Sequence, residues 1–231
     1  MKWSNDVVQK LEWNGEITNR EAKEKIGEKI AKIAKDGDVI GVGSGSTSFL
    51  ATQAIARRIK EESLNILAIP TSKELNMVCN YLGIPTTTLI SCKPDWYYDG
   101  ADEVDPHGWL IKGRGGAMFN EKLIMRNCKK RYILVDDSKI VSKICEKFPI
   151  PVECTLDSIY YVKERLLEMG AKTVVLRLAK GKDGPIITEN GNVILDAVFE
   201  EVAETLEKEI KCITGVLESG LFIGYNVEVI N

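Results

Sequence analysis

Val39-Ile-Gly-Val42 followed by Gly43-Ser-Gly-Ser-Thr47 is the most informative stretch of this chain. Four apolar residues of strand type run straight into glycines and hydroxyl side chains, and helical periodicity follows over about 48–60. Strand, glycine turn and helix make the first half of a crossover unit. Upstream, Thr18-Asn19 with Glu21 resembles an N-cap region. Ala22, Ile26, Ile30 and Ile33 then recur at helical spacing until Asp36-Gly-Asp38 stops the helix. Downstream the order repeats, with a strand over 64–69, a helix over 72–82 and a strand over 86–90. This repetition predicts a parallel sheet with helices on both faces.

Further on, strands are expected over 95–98 and 109–111, flanking an acidic loop, Asp99-Gly-Ala-Asp-Glu-Val-Asp105. Lys112-Gly-Arg-Gly-Gly-Ala117 leads into a helix over 118–129, and 132–135 is another apolar strand run. Pro149-Ile-Pro151 marks a change of texture. After it come a strand over 152–154, a helix over 156–169 and a strand over 173–178. A hairpin over 186–195 with Asn190-Gly191 as its turn and a helix over 199–211 follow. That order is the order of a small ferredoxin-like α+β unit. The strand-like segment 221–230 is free to return to the first domain. The expected division is therefore 1–148 with 217–231 as an α/β domain, and 149–216 as the small domain. Residues 1–20 are an N-terminal extension.

The 231 residues carry 31 basic and 34 acidic side chains, a net charge of −3, which argues against a nucleic-acid surface. No stretch reaches the ~20 uncharged apolar residues that span a bilayer. Asp6, Glu12 and Glu16 speak against a signal peptide, so a cytoplasmic location is expected. Cys79, Cys92, Cys128, Cys145, Cys154 and Cys212 form no C-x-x-C pair, and His107 is the single histidine. A structural zinc site is not expected, and most of the thiols read as small core hydrophobes. Catalysis then falls to carboxylates, lysines and backbone amides.

Three loops offer such chemistry. Gly43 to Thr47 presents backbone N–H groups and hydroxyls at a helix start, which suits a phosphate. It matches neither the P-loop nor the dinucleotide fingerprint, and a plain tight turn before a helix would look alike. The acidic loop holds Asp99, Asp102, Glu103 and Asp105 directly after a strand run, where an open α/β sheet builds its site. It does not fit an EF-hand, and a solvated or metal-binding loop is the plainer alternative. In the third loop, the glycines of 113–116 place several amides in a turn before a helix, a natural oxyanion cradle. Glu121 falls near the first turn of that helix, where the dipole alone favours a glutamate.

In this order and spacing, ten residues from Asp102 to Lys112 and nine more to Glu121, the three loops resemble the signature segments of the ribose-5-phosphate isomerase type A family. Val135-Asp-Asp-Ser-Lys139 and Thr188-Glu-Asn-Gly-Asn-Val-Ile-Leu-Asp196 are similar to two further family segments, and the resemblance runs from about residue 21 to the C-terminus. It implies a Rossmann-like parallel α/β domain with a smaller ferredoxin-like domain. It also implies reversible isomerisation of D-ribose 5-phosphate and D-ribulose 5-phosphate through an enediolate, in the non-oxidative pentose phosphate pathway, with no metal or other cofactor. By resemblance Glu121 is the proton acceptor, and Asp99 and Asp102 bind sugar hydroxyls and assist ring opening. Lys112 with the amides of Gly113, Arg114 and Gly115 meets the enediolate charge. Ser44, Gly45, Ser46 and Thr47 hold the substrate chiefly at its phosphate, Lys23 and Lys139 complete the anion pocket, and Gly100 and Ala101 allow close backbone approach. Arg114 departs from the family, which most often has glycine there. Family members are usually homodimers or homotetramers.

Two other functions compete. One is a related enzyme of the same fold, a deaminase or lactonase acting on six-carbon phosphates; the deaminase would need a catalytic histidine, and His107 sits in an evident Asp105-Pro-His-Gly108 turn. A sugar-phosphate sensor would carry an N-terminal DNA-binding segment, for which about twenty residues are expected to be too few. Glu121, Lys112, Asp99 and Asp102 together favour the isomerase.

Overall fold

The computed structural model describes residues 13, 16–181 and 183–231, so residues 1–12, 14 and 15 of the expected extension lie outside it. The chain packs as two compact units. Of the described residues, one unit comprises those up to Gly100 with Ile124–Asp136 and Glu228–Asn231, and the other Ala101–Leu123 with those from Asp137 to Val227.

The first unit is built on a five-stranded sheet of β1 (Val39–Val42), β2 (Leu67–Pro70), β3 (Trp96–Asp99), β6 (Lys130–Leu134) and β12 (Glu228–Ile230). Their order is β12-β6-β3-β1-β2 and every neighbouring pair is parallel. Helix α1 (Arg20–Ala31) precedes β1, and α2 (Ser46–Glu62) and α3 (Lys73–Leu82) supply the crossovers from β1 to β2 and from β2 to β3. Ile26 and Ile30 of α1, Ala51 and Ile55 of α2 and Ile40, Val42, Trp96 and Tyr98 of the sheet share one buried cluster. Gly27 lets α1 press on α2, since a Cβ there would lie 3.1 Å from the Ala51 nitrogen. Ser72 caps α3 by accepting from the Leu75 amide at 3.2 Å. The strand expected over 86–90 does not form. Only Thr86 bridges to Ala68, after which the chain turns away, and Ile90 is 97% exposed with no apolar face to join.

The second unit holds β7 (Ile150–Cys154), α5 (Ile159–Glu168), β8 (Thr173–Leu176), β9 (Val193–Val198), α6 (Leu206–Lys211) and β10 (Val216–Ser219). The sheet order β10-β7-β9-β8, antiparallel throughout, is the ferredoxin-like arrangement. Ile150, Val152, Val193, Leu195 and Ala197 alternate onto one face and bury Val162, Leu166 and Ile210 of the two helices.

Three expected elements differ here. The Asn190-Gly191 turn is present, but β9 pairs with β8 and not with 186–188. Thr188, Asn190 and Asn192 instead turn their side chains to the buried Glu153, donating to its Oε1 at 2.6, 3.2 and 3.0 Å. The last helix starts at Leu206 and not at 199, because Phe199 is buried in the core with its amide donating to Cys145 Sγ at 3.4 Å. The segment 221–230 divides in two. Its start, β11 (Leu221–Phe222), joins a three-stranded antiparallel sheet with β5 (Leu110–Ile111) and β4 (Glu103–Val104), a sheet the sequence patterns did not announce. Its end is β12. Finally, α4 (Met118–Asn127) begins in the second unit and ends in the first. Among the described residues no helix is long and apolar enough to cross a membrane.

Candidate active site

In the first unit, β1 ends at Val42 and α2 starts at Ser46, with Gly45 at φ +101° as its N-cap residue. No side chain caps this 17-residue helix and no acidic residue stands in its first turn to offset its positive dipole end. Ser44 Oγ lies 2.9 Å from Thr71 Oγ1 and 3.2 Å from Ser72 Oγ, which fixes its orientation. Lys23 is buried on α1 and donates to Ser46 Oγ at 3.2 Å, with Asp136 Oδ2 at 3.7 Å from the ammonium. The loop of 43–47 and Lys23, 20 residues or more apart in sequence, therefore meet. Thr47 is buried and Gly45 exposed.

Asp99 ends β3 with only 1% of its surface exposed. Its Oδ1 accepts from the Gly100 amide at 2.7 Å and from Ser48 Oγ at 3.4 Å, and its Oδ2 accepts from the Tyr97 hydroxyl. Gly43 is glycine for this reason, since a Cβ there would stand 2.0 Å from the Asp99 Cγ. Asp99 and the phosphate-type loop thus form one cluster.

In the second unit, Lys112 follows β5 and Glu121 lies in the first turn of α4. Lys112 Nζ stands 3.3 Å from Glu121 Oε2, with 3% and 6% of the two side chains exposed. The Lys112 backbone is pinned by its amide donating to Gly220 O at 2.9 Å, and its ammonium lies 5.8 Å from the Phe222 ring centroid. Between the pair runs the turn of 113–116, closed by the Gly116 amide donating to Gly113 O at 3.1 Å. Gly113 and Gly116 sit at φ +91° and +89°, and a Cβ on Gly113 would press on Met118 at 2.8 Å. Arg114 and Gly115 are exposed at the tip.

The acidic loop separates into two kinds of carboxylate. Glu103 is fully buried and accepts the amides of Cys145 at 2.7 Å, Phe148 at 2.7 Å and Lys147. Asp105 Oδ1 accepts from the His107 and Trp109 amides, each at 2.9 Å, which accounts for the turn at His107. Both hold loops in place. Asp102 is half-buried, anchored through its amide to Ile111 O at 2.7 Å, and its carboxylate has no hydrogen bond or ion pair among the described residues. Ala101 precedes it, half-buried. Lys139 lies in a short 3-10 turn with its ammonium 5.0 Å from the Phe148 ring, and no contact among the described residues joins it to Lys112 or Glu121.

Sequence patterns alone missed Ser48, Thr71, Ser72 and Tyr97, which orient Asp99 and Ser44. They also missed Lys122, the residue after Glu121, whose ammonium donates to Glu218 Oε1, Glu207 Oε1 and Leu221 O, all at 2.9 Å. A lysine on an otherwise buried helix face was the available signal. No group of three or more His, Cys, Asp or Glu placed to hold a metal occurs among the described residues. What the Lys112–Glu121 pair can do is clear. A buried carboxylate can take a proton from carbon while an ammonium and turn amides meet the oxyanion so formed.

Comparison with known proteins agrees with this chemistry. The family model described as ribose 5-phosphate isomerase A (phosphoriboisomerase A) matches residues 67–231. Ribose-5-phosphate isomerase A of Methanocaldococcus jannaschii is 44% identical over 209 residues, spanning 89% of this chain and 92% of that protein. The solved structure of the isomerase from that organism superposes with a TM-score of 0.89 at 42% identity, covering 93% of this chain and 96% of the other. A D-ribose-5-phosphate isomerase solved in complex with phospho-erythronic acid superposes with a TM-score of 0.88 at 34% identity, covering 93% and 96%. This chain belongs to the ribose 5-phosphate isomerase A family and is an isomerase.

Proposed function

We propose that the protein interconverts D-ribose 5-phosphate and D-ribulose 5-phosphate without a metal, with Glu121 as the base. One observation carries the assignment, the buried Lys112–Glu121 pair at 3.3 Å beside a glycine turn. On the open-chain aldose, the Glu121 carboxylate removes the C2 proton. The C2–H electrons form the C1=C2 bond and the C1=O electrons move to O1, giving an enediolate. Lys112 and the amides of Gly113, Arg114 and Gly115 meet that charge. The O2 proton passes to O1 with Asp102 assisting, and C2=O forms as Glu121 returns its proton to C1. No electron leaves the substrate, so no redox partner is needed.

Phosphate binding is assigned to the uncapped start of α2 at Ser44, Gly45, Ser46 and Thr47 with Lys23. Lys139 is assigned to the same anion, and Asp99 with the Gly100 and Ala101 backbone to the sugar hydroxyls. The relative solved with phospho-erythronic acid, a phosphorylated sugar acid, supports an occupant of this class. We place the enzyme in the cytoplasm, in the non-oxidative pentose phosphate pathway, as a homodimer or homotetramer.

The test is ribulose 5-phosphate formation by purified protein in excess EDTA. Rapid turnover is the expected result. Turnover that disappears with EDTA and returns with a divalent cation would overturn the metal-independent mechanism.

A further inference from the structure

Arg177 follows β8 and belongs to none of the three chemical loops, yet it reaches one of them. Its Nε donates to Asp196 Oδ2 at 2.8 Å and its Nη2 to Asp196 Oδ1, a two-pronged ion pair. Its Nη1 donates to two consecutive carbonyls of the 113–116 turn, Gly113 O at 3.0 Å and Arg114 O at 2.7 Å. A trans peptide is planar, so the carbonyl of one residue and the amide of the next point in opposite directions. Holding the Gly113 and Arg114 carbonyls on the Arg177 side therefore turns the Arg114 and Gly115 amides to the other side together. Neither amide donates to a protein group among the described residues, and both lie at the exposed tip. Two successive amides aimed alike make an anion nest.

We propose that Arg177, braced by Asp196, is a positioning residue that aims the Arg114 and Gly115 amides at the developing enediolate oxygen. This rests on the assignment of that turn to the enediolate. It also gives the Arg114 departure a simple outcome, since only the backbone of residue 114 is used and its side chain is exposed. Arginine is needed because one planar fork must satisfy a carboxylate and two carbonyls at once, which a lysine ammonium cannot do.

The experiment compares kcat and KM for ribose 5-phosphate, with thermal midpoints, for wild type, Arg177→Lys, Asp196→Asn and Glu121→Gln. The expected result for Arg177→Lys is a kcat lowered about 10- to 100-fold, short of the ~10²–10³ for deleting an oxyanion donor, with KM little changed. Asp196→Asn should fall in the same direction by less. A purely structural charge would be served by lysine, so an Arg177→Lys enzyme turning over like wild type overturns the inference. So does a rise in KM with kcat intact. Glu121→Gln separates the layers. If it is inactive while Arg177→Lys is normal, the positioning role fails alone. If it is active, the assignment beneath fails.

Discussion

Glu103 and Asp102 are adjacent carboxylates with opposite duties. Glu103 is fully buried and receives three backbone amides from 145–148, so its loss strands those donors. Asp102 has no such partners among the described residues and remains open to a ligand. Glu103→Ala should therefore destabilise the fold by about 3 kcal/mol or more. Asp102→Asn should leave the thermal midpoint near wild type while lowering kcat at least tenfold. Thermal melts beside steady-state kinetics of both variants check this, and a stable, inactive Glu103→Ala would reverse the two roles. The cysteines also differ, with three buried, two half-buried and one exposed. Burial pushes the Cys79 and Cys128 thiols up to about 12, as befits small core groups, while Cys212 is exposed.

At the level of elements, Lys122 gathers α4, α6, β10 and β11. Its ammonium meets Glu207 and Glu218, and lies 4.6 Å from the Phe222 ring centroid. Glu207 also accepts from the Tyr225 hydroxyl at 2.8 Å and the Ile223 amide at 2.7 Å. Burial pushes the Glu218 carboxyl upward, but the Lys122 charge and hydrogen bonds outweigh it, so the group lies below its usual 4.5. A carboxyl lowered by folding stabilises above its unfolded value, and that stability is lost as pH falls through the folded one. Lys122→Met should cost about 3 kcal/mol at neutral pH by leaving two carboxylates facing an apolar chain. Its stability should also fall less steeply between about pH 5 and 3. Denaturant titrations across that range test both, and an unchanged acid limb would refute the coupling.

Much at this scale was legible beforehand. An unbroken apolar run placed β1, a central strand buried on both faces, and periodicity placed α2, α3 and the βαββαβ order, where helices have one apolar face to bury. The 86–90 run and the start of α6 were misplaced because isolated apolar residues do not reveal whether a partner strand or a side-chain acceptor awaits them. β5 falls within the strand expected over 109–111 and β11 within 221–230, but β4 and the pairing of the three were hidden because each strand is two residues long. Lys23 was legible only through the family resemblance, and Arg177 not at all, since its role depends on carbonyls 63 and 64 residues away.

For the molecule as a whole, the sheet of the first unit draws strands from three separated chain segments, and β12 comes from the last four residues. Deleting 228–231 removes the partner of β6, the acceptor for the Val135 amide and the Lys29 contact to Asn231 O at 2.6 Å. The shortened chain should melt several degrees lower, roughly 2–4 °C for each kcal/mol lost. An unchanged midpoint would mean that the sheet does not depend on its last strand. Glu121 is not among the groups assigned to the phosphate. Removing the base should therefore leave substrate affinity standing.

The most direct measurement is turnover and binding of ribose 5-phosphate by Glu121→Gln in EDTA, beside wild type. A kcat at least about 10³-fold lower, with substrate still bound at near wild-type affinity, is the predicted result. Turnover within tenfold of wild type would contradict it and remove Glu121 from the base role.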